Sequence, residues 1–183
     1  MDTIKILGTT FNNKITWDEN CSILVKKVNA RMQLLRKVWS FGSSIEEMVH
    51  LWRTYCLSIL EQSCVVWGNL ITEENKMDIE RTQKSFLKLV LQEDYKNYEN
   101  ALNLSQLETL EARRTRLTLK FAKTSLADGH FHDLIKKKTI VKGPHTRKRE
   151  PYKVTFAHTD RFRKSPILSM QRLLNQDHIN NLQ

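Results

Sequence analysis

Glu61 is the one carboxylate inside the apolar stretch YCLSILEQSCVVWGN, Tyr55 to Asn69. A carboxylate in such surroundings either moves protons or serves as a structural hydrogen-bonding partner. Acid–base chemistry needs a second titratable group beside it, and no recognisable partner is spaced from Glu61. The structural alternative has it bond a neighbouring helix or lie on a helix flank. Two further acidic pairs, Glu46-Glu47 and Glu73-Glu74, fall where helices should begin. There negative charge meets the positive end of the helix dipole, which makes them structural. His130, His132 and Asp133 in HFHD offer metal-type side chains, but a closed zinc site takes about four ligands and no cysteine is near. No metal and no cofactor is expected.

Cations carry the stronger signal. The formal net charge of the 183-residue chain is +10. From Met1 to Ile135, 18 Lys and Arg stand against 17 Asp and Glu; from Lys136 to Lys164, 11 stand against 2. A nearly neutral body is thus followed by a cationic tract, and such tracts attract polyanions. Its candidate phosphate contacts are Lys136, Lys137, Lys138, Arg147, Lys148, Arg149, Arg161, Arg163 and Lys164. Tyr152, Phe156 and Phe162 interleave with the cations, a composition that also suits stacking on unpaired bases. KGPHTRKREPYK within it also has the character of a nuclear-import signal. Upstream, EARRTR places Arg113, Arg114 and Arg116 within about one helical turn. They read either as a solvated face paired with Glu108 and Glu111 or as assisting phosphate contacts.

The elements that must position these groups are mostly helical. Five glycines and three prolines are too few for a turn-rich sandwich. IKILGTTF (Ile4 to Phe11) is the best strand, NNK (Asn12 to Lys14) supplies a turn, and Ile15 to Trp17 is a short returning strand. Two strands are marginal alone, so this element must lean on a helix. Ile23, Leu24, Val28, Met32, Leu35 and Val38 recur at helical spacing, ending at Phe41-Gly42. Ser44 with Glu47 forms a capping box for a helix running to Gly68-Asn69. A third helix spans Glu73 to Leu91. YENALNL makes one or two short turns. Ser105 with Glu108 reads as a second capping box, opening a helix that Asp128-Gly129 closes. Beyond Lys136 the period disappears until Ser165-Pro166, an N-cap and first helical position, opens a short amphipathic helix. The odd cysteines Cys21, Cys56 and Cys64 read as reduced core thiols of an intracellular protein, nuclear or cytoplasmic. No signal peptide and no membrane span is expected.

Five segments, in order, resemble non-LTR (LINE, jockey-like) retrotransposon reverse transcriptases. IKILGTTFNNKITW resembles the segment after the polymerase palm. FGSSIEEMVHLWRTYCLSILEQSCVVWGN resembles a helix with Tyr55, Leu60-Glu61 and Val66-Trp67 at family positions. IERTQKSFLKLVL is similar to the family's Glu-Arg-x-Gln-Lys helix, and YENALNLSQLETLEARRTRLTLKFA to its Leu-xx-Leu-xx-Arg-Arg helix. SPILSMQRLLN resembles a motif near the end of such elements. The resemblance covers roughly residues 4–127 plus that terminal motif.

It implies a helical, thumb-like bundle of about four longer helices with a small N-terminal β element and a basic, partly disordered C-terminal tail. The expected division is 1–17 as a β remnant following the palm, 18–135 as the thumb-like domain, 136–164 as a basic flexible segment and 165–183 as a short helix and tail. Polymerisation in the family uses palm aspartates that hold two metal ions, and two-metal chemistry needs converging carboxylates. This chain has no Asp-Asp pair, and the endonuclease and fingers have no counterpart in it. The expectation is therefore a non-catalytic fragment that binds RNA or DNA non-specifically. A different class of reading is a helical module for protein interaction or self-association, in which Trp17, Trp39, Trp52 and Trp67 serve core or interface.

Overall fold

A computed structural model describes residues 3–138 and 150–181. The protein is mostly helical, with one two-stranded antiparallel sheet at the start. Its elements are β1 (Thr3–Ile6), β2 (Thr9–Asn12), α1 (Asp18–Ser40), α2 (Ile45–Leu51), α3 (Ser58–Leu60), α4 (Cys64–Trp67), α5 (Glu73–Leu91), α6 (Tyr98–Ser105), α7 (Leu110–Ala127), α8 (Asp160–Arg163) and α9 (Pro166–Asn180). The chain divides into two compact units, Met1–Cys64 with Ile71–Arg114, and Val65–Leu70 with Thr115–Gln183. The sequence pattern places divisions after Trp17, Ile135 and Lys164. The observed grouping puts most of α7, the described cationic residues from Lys136 onward and α9 in one unit.

In the first unit the hairpin turns at Leu7-Gly8, not at Asn12 to Lys14. Leu7 and Gly8 both have positive φ, 47° and 82°, the requirement of the two-residue turn whose twist matches the strands. Register follows from it: Ile6 pairs with Thr9 and Ile4 with Phe11. Ile15 to Trp17 forms no strand. Trp17 instead packs its ring edge-on against Phe11, 5.0 Å between centroids. The hairpin does lean on a helix, because Asn20 Oδ1 on α1 accepts from Thr10 N at 3.1 Å.

α1 buries Cys21, Leu24, Val28, Met32 and Leu35, and α5 buries Ile79, Phe86, Leu87 and Val90. These two stripes face each other across the middle of the unit. Between them Trp52 lies flat on Phe86, with centroids 4.6 Å apart and planes within 11°. Thr72 caps α5, its side chain accepting from Asn75 N. The capping box at Ser44 is complete, with Ser44 Oγ accepting from Glu47 N and Glu47 Oε2 from Ser44 N.

The helix expected from Ser44 to Trp67 is interrupted twice. α2 passes into a π-helical stretch over Trp52–Leu57, and a corner at residues 61–63 follows α3, with Ser63 at φ 54°. The other revision lies at α7. Ser105 ends α6 and donates to Ala101 O at 2.7 Å. Thr109 opens α7 instead, its Oγ1 accepting from Ala112 N at 3.2 Å. Four helices of 23, 19, 18 and 15 residues result: α1, α5, α7 and α9. The expected second long helix is broken, and the terminal one is longer than its apolar pattern.

A chain of buried and half-buried polar groups links α5, α6 and the start of α7 in the first unit. Trp52 Nε1 donates to Gln83 Oε1 at 3.3 Å, and Gln83 Nε2 donates to Tyr98 Oη at 3.0 Å and Glu108 O at 2.9 Å. Glu80 Oε1 accepts from Leu110 N at 3.1 Å and from the Tyr98 hydroxyl. Burial, and then the Glu80 carboxylate, push the Tyr98 phenol up. In this arrangement the Tyr98 hydroxyl donates to Glu80 and accepts from Gln83.

Candidate nucleic-acid interface

The second unit holds most of the candidate cations, and α9 organises them. Its buried stripe reads Leu168, Gln171, Leu174 and Asn175, three and four residues apart, with Met170 beside it. Two of those residues are amides. Buried amides need partners, and both find main chain. Gln171 Nε2 donates to Leu134 O at 3.0 Å. Asn175 holds Tyr152 twice: its Oδ1 accepts from Tyr152 N at 2.9 Å, and its Nδ2 donates to Tyr152 O at 3.1 Å. Ile135 sits in a core with Ala122, Met170 and Leu174, against which the Tyr152 ring packs.

Those anchors bring together two stretches of the tract that are far apart in sequence. Lys138 N donates to Pro151 O at 2.8 Å, and Lys153 N donates to Lys136 O at 3.0 Å. Lys137 and Tyr152 form an antiparallel bridge between them. The described part of the tract is extended around this one bridge, runs without helix or strand from Lys153 to Ala157, and ends in the helical turn α8.

Lys136, Lys137 and Lys138 are all exposed at this bridge. Lys138 Nζ meets Glu150 Oε2 at 3.0 Å. Arg161, Arg163 and Lys164 are exposed on and just after α8. Arg163 Nη2 meets Asp160 Oδ1 at 2.7 Å, and Arg163 O accepts from Arg172 Nη1 at 2.7 Å. Both ion pairs are open to solvent, so salt screens them and a phosphate can compete for the cation. Arg147, Lys148 and Arg149 lie outside the described residues.

The EARRTR arginines divide. Arg113 points to Glu61, with Nε against Oε1, and to Glu108 Oε1 at 3.5 Å. Arg114 is 5% exposed. Burial pulls its guanidinium down from the ordinary value, and the charges of Glu80 and Glu111 partly restore it. Arg113 is thus turned to carboxylates of the protein itself, Glu108 being one of the two partners the sequence offered, and Arg114 is enclosed. Arg116 is exposed and remains a candidate.

Glu61 is thereby explained. It sits at the corner after α3 and accepts the Arg113 guanidinium, each side chain about a quarter exposed (23% and 26%). Beside it, Gln62 Nε2 donates to Leu7 O at 2.9 Å and steadies the hairpin turn. Two consecutive polar residues at one corner thus tie down the β element and α7's first turns.

No family model, curated protein or solved structure matches the chain. Among the described residues no three His, Cys, Asp or Glu side chains are grouped to hold a metal ion. His132 Nε2 lies 2.9 Å from Leu126 O, a local contact at the end of α7. The three thiols are free and buried, and burial pushes Cys21 up to about 12 and Cys56 and Cys64 to about 11. Burial therefore disfavours the thiolate form at all three. Among the described residues no helix is long and apolar enough to cross a membrane.

Sequence reasoning did not reach Lys153, Gln171 and Asn175. The two amides carried a usable signal, since both lie at helical spacing on the apolar stripe of SPILSMQRLLN. A polar residue on a buried stripe marks a required hydrogen bond.

Proposed function

We propose that this chain is the thumb-like, non-catalytic portion of a non-LTR retrotransposon reverse transcriptase, acting inside the cell in nucleus or cytoplasm. Its own biochemical capacity is non-specific binding of RNA or DNA. The origin rests on the five ordered segments quoted above. The binding rests on one observation: Lys136, Lys137, Lys138, Arg161, Arg163 and Lys164 are all exposed within a single compact unit. Contacts from such side chains to phosphate carry no sequence information and depend on counterion release.

A salt titration tests this. Neutralising about six phosphates predicts a loss of about 10³-fold in affinity between 50 and 200 mM salt. Replacing Lys136, Lys137 and Lys138 by Ala should weaken every sequence alike and flatten the salt slope. Salt-insensitive binding, or no binding at low salt, refutes the proposal. A primer-extension assay on the chain should show no incorporation.

A self-association module is the second reading, and the hairpin favours it. Ile4, Ile6, Leu7 and Ile15 are between 53% and 90% exposed, and β1 is exposed along its whole length. Exposed strands with apolar side chains invite pairing with another chain. Size-exclusion chromatography with light scattering separates the readings, because a stable oligomer indifferent to nucleic acid would support the module alone.

A further inference from the structure

We infer that the bound nucleic acid is taken as a single strand, with Phe156 and Phe162 as the surfaces on which unpaired bases stack. The inference rests on the nucleic-acid reading above and adds strandedness to it.

Three aromatic residues interleave with the described cations, and the structure separates them by role. Tyr152 is held at both main-chain polar groups by Asn175, and its ring packs on the core of the second unit. It is part of the scaffold. Phe156 is 77% exposed in a stretch without helix or strand, its ring beside that of His158 at 4.9 Å. Phe162 is 45% exposed between Arg161 and Arg163 on α8.

Exposure of a phenyl ring is not confined to these two, since Phe41 is 86% and Phe121 41% exposed; what sets Phe156 and Phe162 apart is their place in the cationic tract. One exposed phenylalanine is ordinary on a protein surface. Two of them within seven residues, among Lys153, Arg161, Arg163 and Lys164, combine the two requirements of single-strand binding. The cations follow the backbone, and the rings offer π-surfaces that accept any base. A duplex uses only the first of these, because its bases are already stacked on one another and its phosphates face outward.

The two terms can be measured apart. The full chain is titrated with a 20-mer of oligo-dT, a 20-mer of oligo-U and a 20-base-pair duplex, at one fixed low salt concentration. Phe156→Ala with Phe162→Ala should weaken both single strands by about tenfold or more, and the duplex by less than twofold. Phe156→Tyr with Phe162→Tyr keeps the rings and should restore single-strand affinity. Phe156→Leu with Phe162→Leu keeps only apolar bulk and should not. Equal loss on all three ligands, or no loss on any, overturns the stacking assignment while leaving electrostatic binding standing. If the unaltered chain binds neither strand nor duplex, the nucleic-acid reading falls, and this inference with it. A loss on one of the two single strands only would assign the stacking to DNA or to RNA.

Discussion

The two units of this protein use their polar side chains in opposite ways. In the first, polar groups turn inward: Gln83 and Glu80 link α5, α6 and α7, and Glu61 takes Arg113. In the second, two buried amides on α9 hold main chain, the Thr118 and Ser125 hydroxyl residues are buried with them, and the described cations of the tract are exposed. Arg113 and Arg114 are drawn into the packing of the first unit, whereas the described lysines and arginines of the tract stay at the surface; exposed cations such as Lys26 and Arg36 occur in the first unit too, and Lys123 pairs with Asp177 in the second. Charge counting along the sequence cannot see this difference. Arg113 and Arg114 look as available as Lys136 until their surroundings are known.

The sharpest way to break this contrast is to damage one unit and watch the other. Trp52 is fully buried and stacked on Phe86. Trp52→Ala should cost about 3–5 kcal/mol, a large share of the 5–15 kcal/mol typical of a folded chain. All three cysteines belong to the first unit. Native thiol labelling therefore reports its opening, and the variant should accelerate labelling at least a hundredfold. Labelling at the unaltered rate would mean that the Trp52–Phe86 stack is not what closes that unit.

A smaller effect follows from Glu61. Glu61→Ala leaves Arg113 about three-quarters buried with only the longer Glu108 contact, and should cost about 1–3 kcal/mol. Glu61→Gln, which retains a hydrogen-bond acceptor, should recover part of that. If the charge served chemistry alone, chemical denaturation would show no loss for either variant.

In the second unit, Asn175→Ala removes both hydrogen bonds to Tyr152 and should cost about 1–2 kcal/mol. Amide hydrogen exchange at Lys138 and Lys153 should rise, with thiol labelling of the first unit unchanged. A matching rise in thiol labelling would show that the two units open together.

The smallest effect is a pH dependence at α2. Hydrogen bonds from Ser44 hold the exposed Glu47 carboxyl below its ordinary value. A carboxyl depressed on folding adds stability above its unfolded pKa and loses it as the pH falls through the folded one. Circular dichroism on acidification should therefore show a small loss at the start of α2, and Glu47→Gln should abolish that loss. A variant with the same acid profile would assign the loss to another carboxylate.

Where local chemistry decides the structure, the sequence was readable. α5 begins and ends at the residues its apolar period marks, Glu73 and Leu91, and Ser44 caps α2 through the box its spacing announces. Misreadings came where local patterns compete. Ser105 and Glu108 have capping-box spacing, yet the Ser105 hydroxyl bonds back to Ala101 O and Thr109 takes the cap. The β-branched residues around Gly8 favour a continuous strand, and Leu7 is an unusual residue for the positive-φ turn that forms there. The corner at residues 61–63 contains neither glycine nor proline, so nothing local announces it. Among the candidate cations, exposure at Lys136 and burial at Arg114 both depend on long-range packing, and no single window of sequence encodes that.

The bridge closed by Lys136 and Lys153 has an evolutionary consequence. Two stretches distant in sequence are joined there by main-chain hydrogen bonds, and α9 supplies the side chains that hold the join. Changes at Gln171 or Asn175 should therefore be tolerated poorly in related sequences, since they would remove the frame that the join hangs on.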